Sequence, residues 1–333
     1  MSGPTSPARL FRAVAVGLAL SVPLGLGACG GASSEDGGSA AEKSAAPEPT
    51  TLPITTTDVG QDRFKTEAPA SIKGGLVKIV FKNAGKMPHE AQLLRVDEGH
   101  TIQEAIELVT SEDEKTPEWL HAAGGVGLTP PGQQRTAYIN LPPGNYGVIS
   151  LGAGGPEEGP PPATRGALAE FQVSEGKPGG LPQTSASIVA KDEGEHKHGG
   201  EGQETGAGQD TGEGEDSEDH KHSFEPTGLK PGRNTVLFDN RSEELHHVVL
   251  APIIGHTTLE EVEEAVTSEG PPEGPPPVDF ENIVVTSVLD GKTKQVTELE
   301  LKEGRYALLC FISDRDGGKP HVAEGMIEEV KVG

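Results

Sequence analysis

The chain has 333 residues, 52 acidic side chains against 27 basic ones, and a formal net charge of −25. Hydrophobic residues make up 33% and aromatics 4%, so much of the chain is not core. This charge excludes a nucleic-acid partner, because phosphate binding needs a basic surface, and two cysteines exclude a disulfide framework.

Residues 1–28 read as an export signal. Arg9 and Arg12 precede an apolar run from Ala13 to Leu26, which is too short and Gly-rich to span a bilayer comfortably. The run ends in Leu26-Gly27-Ala28-Cys29, which resembles the bacterial lipobox. That resemblance implies cleavage before Cys29, a lipid on its thiol and an extracytoplasmic, membrane-tethered protein. Residues 29–57, rich in Ser, Ala, Gly, Pro and Glu, are expected to be a disordered tether.

Two similar halves follow, expected at 58–175 and 223–333. Between them, 176–222 is expected to be a disordered linker. Its stretch from Ala190 to His222 holds 11 acids and 8 glycines and no Leu, Ile, Val, Met or aromatic residue. In the halves, Phe81-Lys82-Asn83 matches Phe238-Asp239-Asn240, and His89 and His246 each stand six residues after the Asn. Gly99-His100-Thr101 matches Gly255-His256-Thr257. Each half then shows a short amphipathic helix with capping-box spacing, at Thr101/Glu104 and Thr258/Glu261. The remaining elements read as strands separated by Gly/Pro turns, among them Thr136 to Leu141, Tyr146 to Leu151, Asn282 to Leu289, Val296 to Leu301 and Tyr306 to Ile312. This pattern favours an all-β fold of two sandwiches, each with one short inserted helix.

The second half carries a set with metal chemistry. His246 lies at a strand start, Cys310 at a strand end, and His321 and Met326 in the segment that follows. In this order the residues resemble those of the cupredoxins, the plastocyanin and azurin superfamily. The resemblance covers most of Phe224 to Gly333. It implies Greek-key sandwiches, one mononuclear blue-copper site with His246, Cys310 and His321 equatorial and Met326 axial, one-electron transfer, and a redox partner protein. The donor chemistry agrees independently: a thiolate and two imidazoles suit copper in both oxidation states, and a weak axial thioether tunes its potential. An exported chain with one unpaired thiol also gains a reason for it.

Two departures accompany the resemblance. Ten residues separate Cys310 from His321, where compact cupredoxins have only a few, so the loop must fold back as a hairpin. His247 stands where many cupredoxins have Asn, which puts a usual hydrogen bond around the site in question and makes His247 an alternative ligand. The repeat favours His246, which matches His89.

The first half keeps His89 but has Ser150 at the Cys310 position, Ala167 at the Met326 position and a Pro-rich loop, 155–162, in the His321 region. It reads as a copper-less sandwich for packing, docking or spacing. His100, His121 and Trp119 are weighed as another site and read as structural. His196, His198, His220 and His222 sit among acids and are candidates for weak metal collection. An enzyme is not expected: the chain shows no second copper cluster, no Ser/His/Asp grouping and no phosphate-binding loop. The alternatives to electron transfer are copper storage, delivery or resistance with a copper donor or acceptor as partner, and a cell-surface interaction module without metal.

Overall fold

A computed structural model describes residues 48–60, 62–111, 115–152, 159–192, 222–268 and 274–333. The expected signal, Cys29 with the tether up to residue 47, and His196, His198 and His220 lie outside the described residues. Among those described, no helix is long and apolar enough to cross a membrane.

The first half contains β1 (Thr50–Asp58), β2 (Phe64–Glu67), β3 (Ser71–Lys73), β4 (Gly75–Asn83), β5 (His89–Val96), α1 (Ile102–Val109), β6 (Leu120–Thr129), β7 (Gln134–Leu141), β8 (Gly144–Ile149) and β9 (Leu168–Ser174). The second contains β10 (Ala186–Asp192), β11 (His222–Thr227), β12 (Gly232–Asn240), β13 (Val249–Pro252), α2 (Leu259–Thr267), β14 (Val284–Val285), β15 (Lys294–Leu301), β16 (Gly304–Leu309) and β17 (Ile327–Val332). The all-β expectation holds. The alternation that marks a half-buried strand is plain in β4, where Val77, Ile79 and Phe81 are buried, and in β12, where Val236 and Phe238 are. Both expected capping boxes form: the Thr101 and Thr258 hydroxyls accept from the Glu104 and Glu261 amides, and both glutamates reach back.

The repeat runs further than the sequence comparison showed. β1 pairs parallel with β4 and antiparallel with β2; β10 pairs parallel with β12 and antiparallel with β11. Both halves therefore start one strand earlier than the expected boundaries. The segment ending at residue 57, expected as tether, includes β1, whose Leu52 and Ile54 are fully packed. The segment 176–222, expected as linker between the sandwiches, contains β10 and ends on His222, the first residue of β11. Residues 193–221 thus connect two antiparallel strands inside the second sandwich, where residues 59–63 connect β1 and β2 in the first.

The two sandwiches are one body. A 5-stranded sheet, β3-β9-β8-β5-β6, and a 4-stranded sheet, β14-β13-β16-β17, face a shared 8-stranded sheet, β11-β10-β12-β15-β7-β4-β1-β2. The seam is the antiparallel pair β7/β15, with Ala137, Tyr138 and Ile139 opposite Thr297, Val296 and Gln295. One apolar cluster holds Phe81, Val126 and Tyr146 together with Phe238, Leu289 and Cys310.

Around the seam, backbone groups of one half are satisfied by the other. Gln92 is central. Its amide donates to the carbonyls of Leu93, Gly124 and Val288, and its Oε1 accepts from the Val288 amide at 2.7 Å. Gly127 lies so close to the Val285 carbonyl that a Cβ has no room there. This explains one shortened element. The strand expected at Asn282 to Leu289 is regular only over Val284–Val285, because Val288 and Asp290 donate to or accept from the first half instead. Replacement of Gln92 by Leu leaves the Val288 amide and three carbonyls without this partner. The expected loss is about 2–3 kcal/mol, read by denaturant unfolding as one cooperative transition displaced for the whole chain. Two separate transitions, only one of them displaced, would show instead that the halves unfold independently.

Candidate metal centre

The site is built from three backbone devices. The first positions His246. Asn240 closes β12, is buried, and its side-chain amide donates to the carbonyls of Glu244, Leu289 and Asp290. Asn83 makes the matching bonds to Met87 and Thr129 in the first half. In both cases the bond to the residue four further on cinches the chain into the turn that delivers the histidine. His246 is then pinned by paired backbone bonds with Leu289, at 3.0 and 2.8 Å.

The second device brings Cys310 and His321 together. Beyond β16 the chain turns back: the His321 amide donates to the Ile312 carbonyl at 2.9 Å and the Val322 amide to the Cys310 carbonyl at 2.8 Å. The ten intervening residues project as the expected hairpin, with a turn from Asp314 to Gly317 at its tip. The third device is a 3-10 turn, His321–Glu324, ended by Gly325 at φ 91°, a left-handed conformation that glycine adopts without strain. The Met326 amide bonds back to the His321 carbonyl at 2.8 Å. His321 and Met326 are thus placed by one turn.

The result is a donor triangle. Cys310 Sγ lies 3.6 Å from His246 Nδ1 and 3.6 Å from His321 Nδ1, and the two Nδ1 atoms are 3.0 Å apart. Met326 belongs to the same apolar cluster as Cys310, and all four side chains are 0% exposed. Burial pushes the His246 imidazole down to about 2 and the His321 imidazole down to about 4, so both rings are neutral at pH 7 with a lone pair to offer. Burial pushes the Cys310 thiol up to about 12, against hydrogen bonds from the His247 and Ile312 amides that favour the thiolate. A cation that displaces this proton gains a thiolate already met by two N–H groups.

The structure fits a soft or borderline metal at this point. Ligands about 2.0–2.3 Å from one centre are spaced at about 3–4 Å, as these three donors are. One thiolate, two imidazoles and a nearby thioether form a donor set for copper.

His247 is turned away from the triangle. Its Nε2 accepts from the Phe311 amide at 3.0 Å, so its lone pair is already used. The hydrogen bond in question at the Asn-to-His departure is therefore present in another form: His247 ties the β13 side of the site to the residue after Cys310.

His321 is held from behind as well. Its Nε2 donates to Asp314 Oδ1 at 2.9 Å, which leaves Nδ1 free of its proton and aimed at the triangle. His222, expected in the linker, is instead 1% exposed, with its ring 4.2 Å from that of His321 and 4.9 Å from that of His246. Extending the repeat back to the first strand of each half would have revealed this, since β10 and β11 match β1 and β2.

The first half repeats the scaffold without the donors. The Ala163 amide bonds to the Ser150 carbonyl, the Ala167 amide bonds to Pro162, and Gly166 takes the left-handed turn. Pro162 therefore stands at the His321 position. His89 Nδ1 meets Ser150 Oγ at 3.1 Å, so its lone pair or proton is taken by a hydroxyl. Of the other residues weighed, His100 stacks on Trp119 at 4.1 Å, and His121 bridges Asp97 and Asp290, each at 3.1 Å.

That last bridge leads to the metal loop. Arg315, at the hairpin tip, pairs with Asp290 and donates to the Pro117 and Leu120 carbonyls at 3.2 and 3.1 Å, while the Thr116 amide bonds to the Arg315 carbonyl at 2.8 Å. The first half therefore grips the segment that carries Asp314 and His321. Arg315→Ala is expected to cost about 3 kcal/mol and to speed metal loss from the triangle. Unfolding curves and metal release to a chelator check both effects.

No family model matches the chain, and no curated protein matches it. Several solved structures resemble it. Na-dithionite reduced auracyanin from Roseiflexus castenholzii is 26% identical, over 32% of this chain and 80% of that one, with a TM-score of 0.21. Rusticyanin from Thiobacillus ferrooxidans is 16% identical, over 37% and 77%, with a TM-score of 0.24. Copper nitrite reductase from Nitrosomonas europaea is 12% identical, over 85% and 94%, with a TM-score of 0.22. At such TM-scores the neighbours add nothing about the site, whose reading stands on its own geometry.

Proposed function

We propose that the chain is a membrane-tethered, extracytoplasmic electron carrier with one copper site in its second half. The observation that carries this reading is the buried donor triangle of His246, Cys310 and His321, with Met326 also buried and its amide bonded to the His321 carbonyl. When bound there, copper supplies a one-electron Cu(I)/Cu(II) couple.

The chain's own residues provide the rest. His246 and His321 are neutral at pH 7, so protons do not compete for their Nδ1 atoms. Asp314 and the backbone hairpin hold His321 in place, and the bonds between His246 and Leu289 hold the other side. A ligand set held this firmly has little to rearrange when the charge changes. Full burial of the four side chains excludes water and leaves no open position for a substrate, which favours a carrier over an enzyme. The net charge of −11 over 223–333 supports a basic redox partner, with association that weakens as salt rises.

One observation favours copper storage or delivery as the second reading. The acidic stretch 193–221 begins after Asp192 and ends at His222, and both residues stand at the site.

Addition of Cu(II) to the reduced protein tests the proposal. An intense visible thiolate-to-copper band, lost in Cys310→Ser, together with a reversible midpoint potential, is the expected result. Stoichiometric binding without that band would favour storage, and absence of binding would leave an interaction module without metal. The tether has its own test: Cys29→Ser is expected to move the protein from the membrane fraction to the soluble fraction.

A further inference from the structure

Behind the donor triangle stand His222 and Asp192, which the copper reading leaves unused, facing Asp314. His222 Nδ1 lies 2.8 Å from Asp192 Oδ1. A carboxylate only accepts, so Nδ1 carries the proton. In the neutral ring the lone pair is then on Nε2, which is buried and has no hydrogen-bond partner. Nε2 faces Asp314 Oδ1 at 3.4 Å. The same oxygen accepts the His321 Nε2 proton at 2.9 Å. A buried nitrogen lone pair and a carboxylate oxygen facing each other repel unless a cation lies between them. Either a proton or a metal ion meets that need.

We propose that His222 Nε2, Asp314 and His321 Nε2 form a second metal site, for a borderline divalent ion such as Zn(II). His321 then bridges this ion and the copper site through its two ring nitrogens. The donor atoms of the three residues lie within 4.8 Å of one another. Ligands about 2.0–2.1 Å from a tetrahedral zinc sit about 3.3 Å apart, and the separations of 2.9 and 3.4 Å bracket that value. Two imidazoles and a carboxylate are a donor set zinc accepts, with a fourth position left open. Asp192 orients His222 as a carboxylate behind a ligating histidine does.

The step balances without a redox partner. The ion forms bonds to His222 Nε2, Asp314 and His321 Nε2; the His321 Nε2–H bond breaks and its proton leaves to buffer. The proposal rests on the copper reading only in that His321 is shared.

The test uses the full chain with Cys29→Ser, loaded with copper and titrated with Zn(II) by calorimetry in two buffers of different ionisation enthalpy, with metal analysis. One zinc equivalent beyond copper, release of a proton, and a shift of the copper-thiolate band are expected. Asp314→Asn keeps an acceptor for His321 and so preserves the fold; it should weaken zinc binding at least about 10-fold, as should His222→Phe. Replacement of His196, His198 and His220 by Gln should leave the equivalent intact. The idea fails if no zinc equivalent binds, if it survives Asp314→Asn and His222→Phe in correctly folded protein, or if it vanishes with the three other histidines. Cys310→Ser separates the two readings. Zinc bound there with the same dependence on Asp314 and His222 upholds the second site even if the blue-copper reading has failed. A copper band without zinc binding overturns the second site alone.

Discussion

The two backbone bonds that close the hairpin after β16, from His321 to Ile312 and from Val322 to Cys310, are the constraint on which the site depends. Cys310 and His321 are separated by ten residues, and a free loop of that length explores many arrangements. The paired bonds reduce it to a β-like ladder with a tight tip. Cys310 and His321 then face each other for the same reason that cross-strand neighbours do. The 3-10 turn and Gly325 add Met326 to the same place without further freedom. The extra loop length leaves the site compact and is absorbed in a projection away from it.

That projection is met by the first half. Its own site has been filled by ordinary chemistry: a hydroxyl for the thiol, a proline for the second histidine, an alanine for the thioether. Yet two of the backbone bonds that shape the site in the second half have counterparts here, from Ala163 to Ser150 and from Ala167 to Pro162, while Pro162 has no amide to repeat the His321 to Ile312 bond. The same turn and left-handed glycine therefore recur in both halves, with donor side chains in one and none in the other. What the first half supplies instead is a rigid wall. Residues 116–120 and Asp97, through His121 and Asp290, receive Arg315 at the hairpin tip.

The legible features were those with a short-range signature. Alternation in β4 and β12, the two capping boxes, and the Asn-to-His spacing each express a local rule that acts within a few residues. The three residues of the donor triangle could be singled out because thiol and imidazole carry a chemistry that other side chains seldom supply. The features that escaped depend on distant partners. β1 holds a proline and five threonines, and looks like tether until β4 lies beside it. β10 is adjacent to an acidic stretch whose composition masks it. The placement of His222 follows only from pairing β10 with β11 across 29 residues, which no local pattern reports. The interruption of the strand at Asn282 to Leu289 was equally hidden, since its cause is Gln92 in the other half.

The placement of charge around the site has an order of its own. Next to the donor triangle lies Asp314, beyond it His222, and then Asp192, so that carboxylate and imidazole alternate outward from His321. Asp314 can hold one proton or one cation between two rings. A positive charge at the triangle would be balanced first by the Cys310 thiolate and next by Asp314, at the distance of one imidazole. A chain of this kind raises the electron density on His321, whose ring stays neutral. The triangle is fully buried within a strongly acidic chain, and the carboxylates nearest to it are the two in this row.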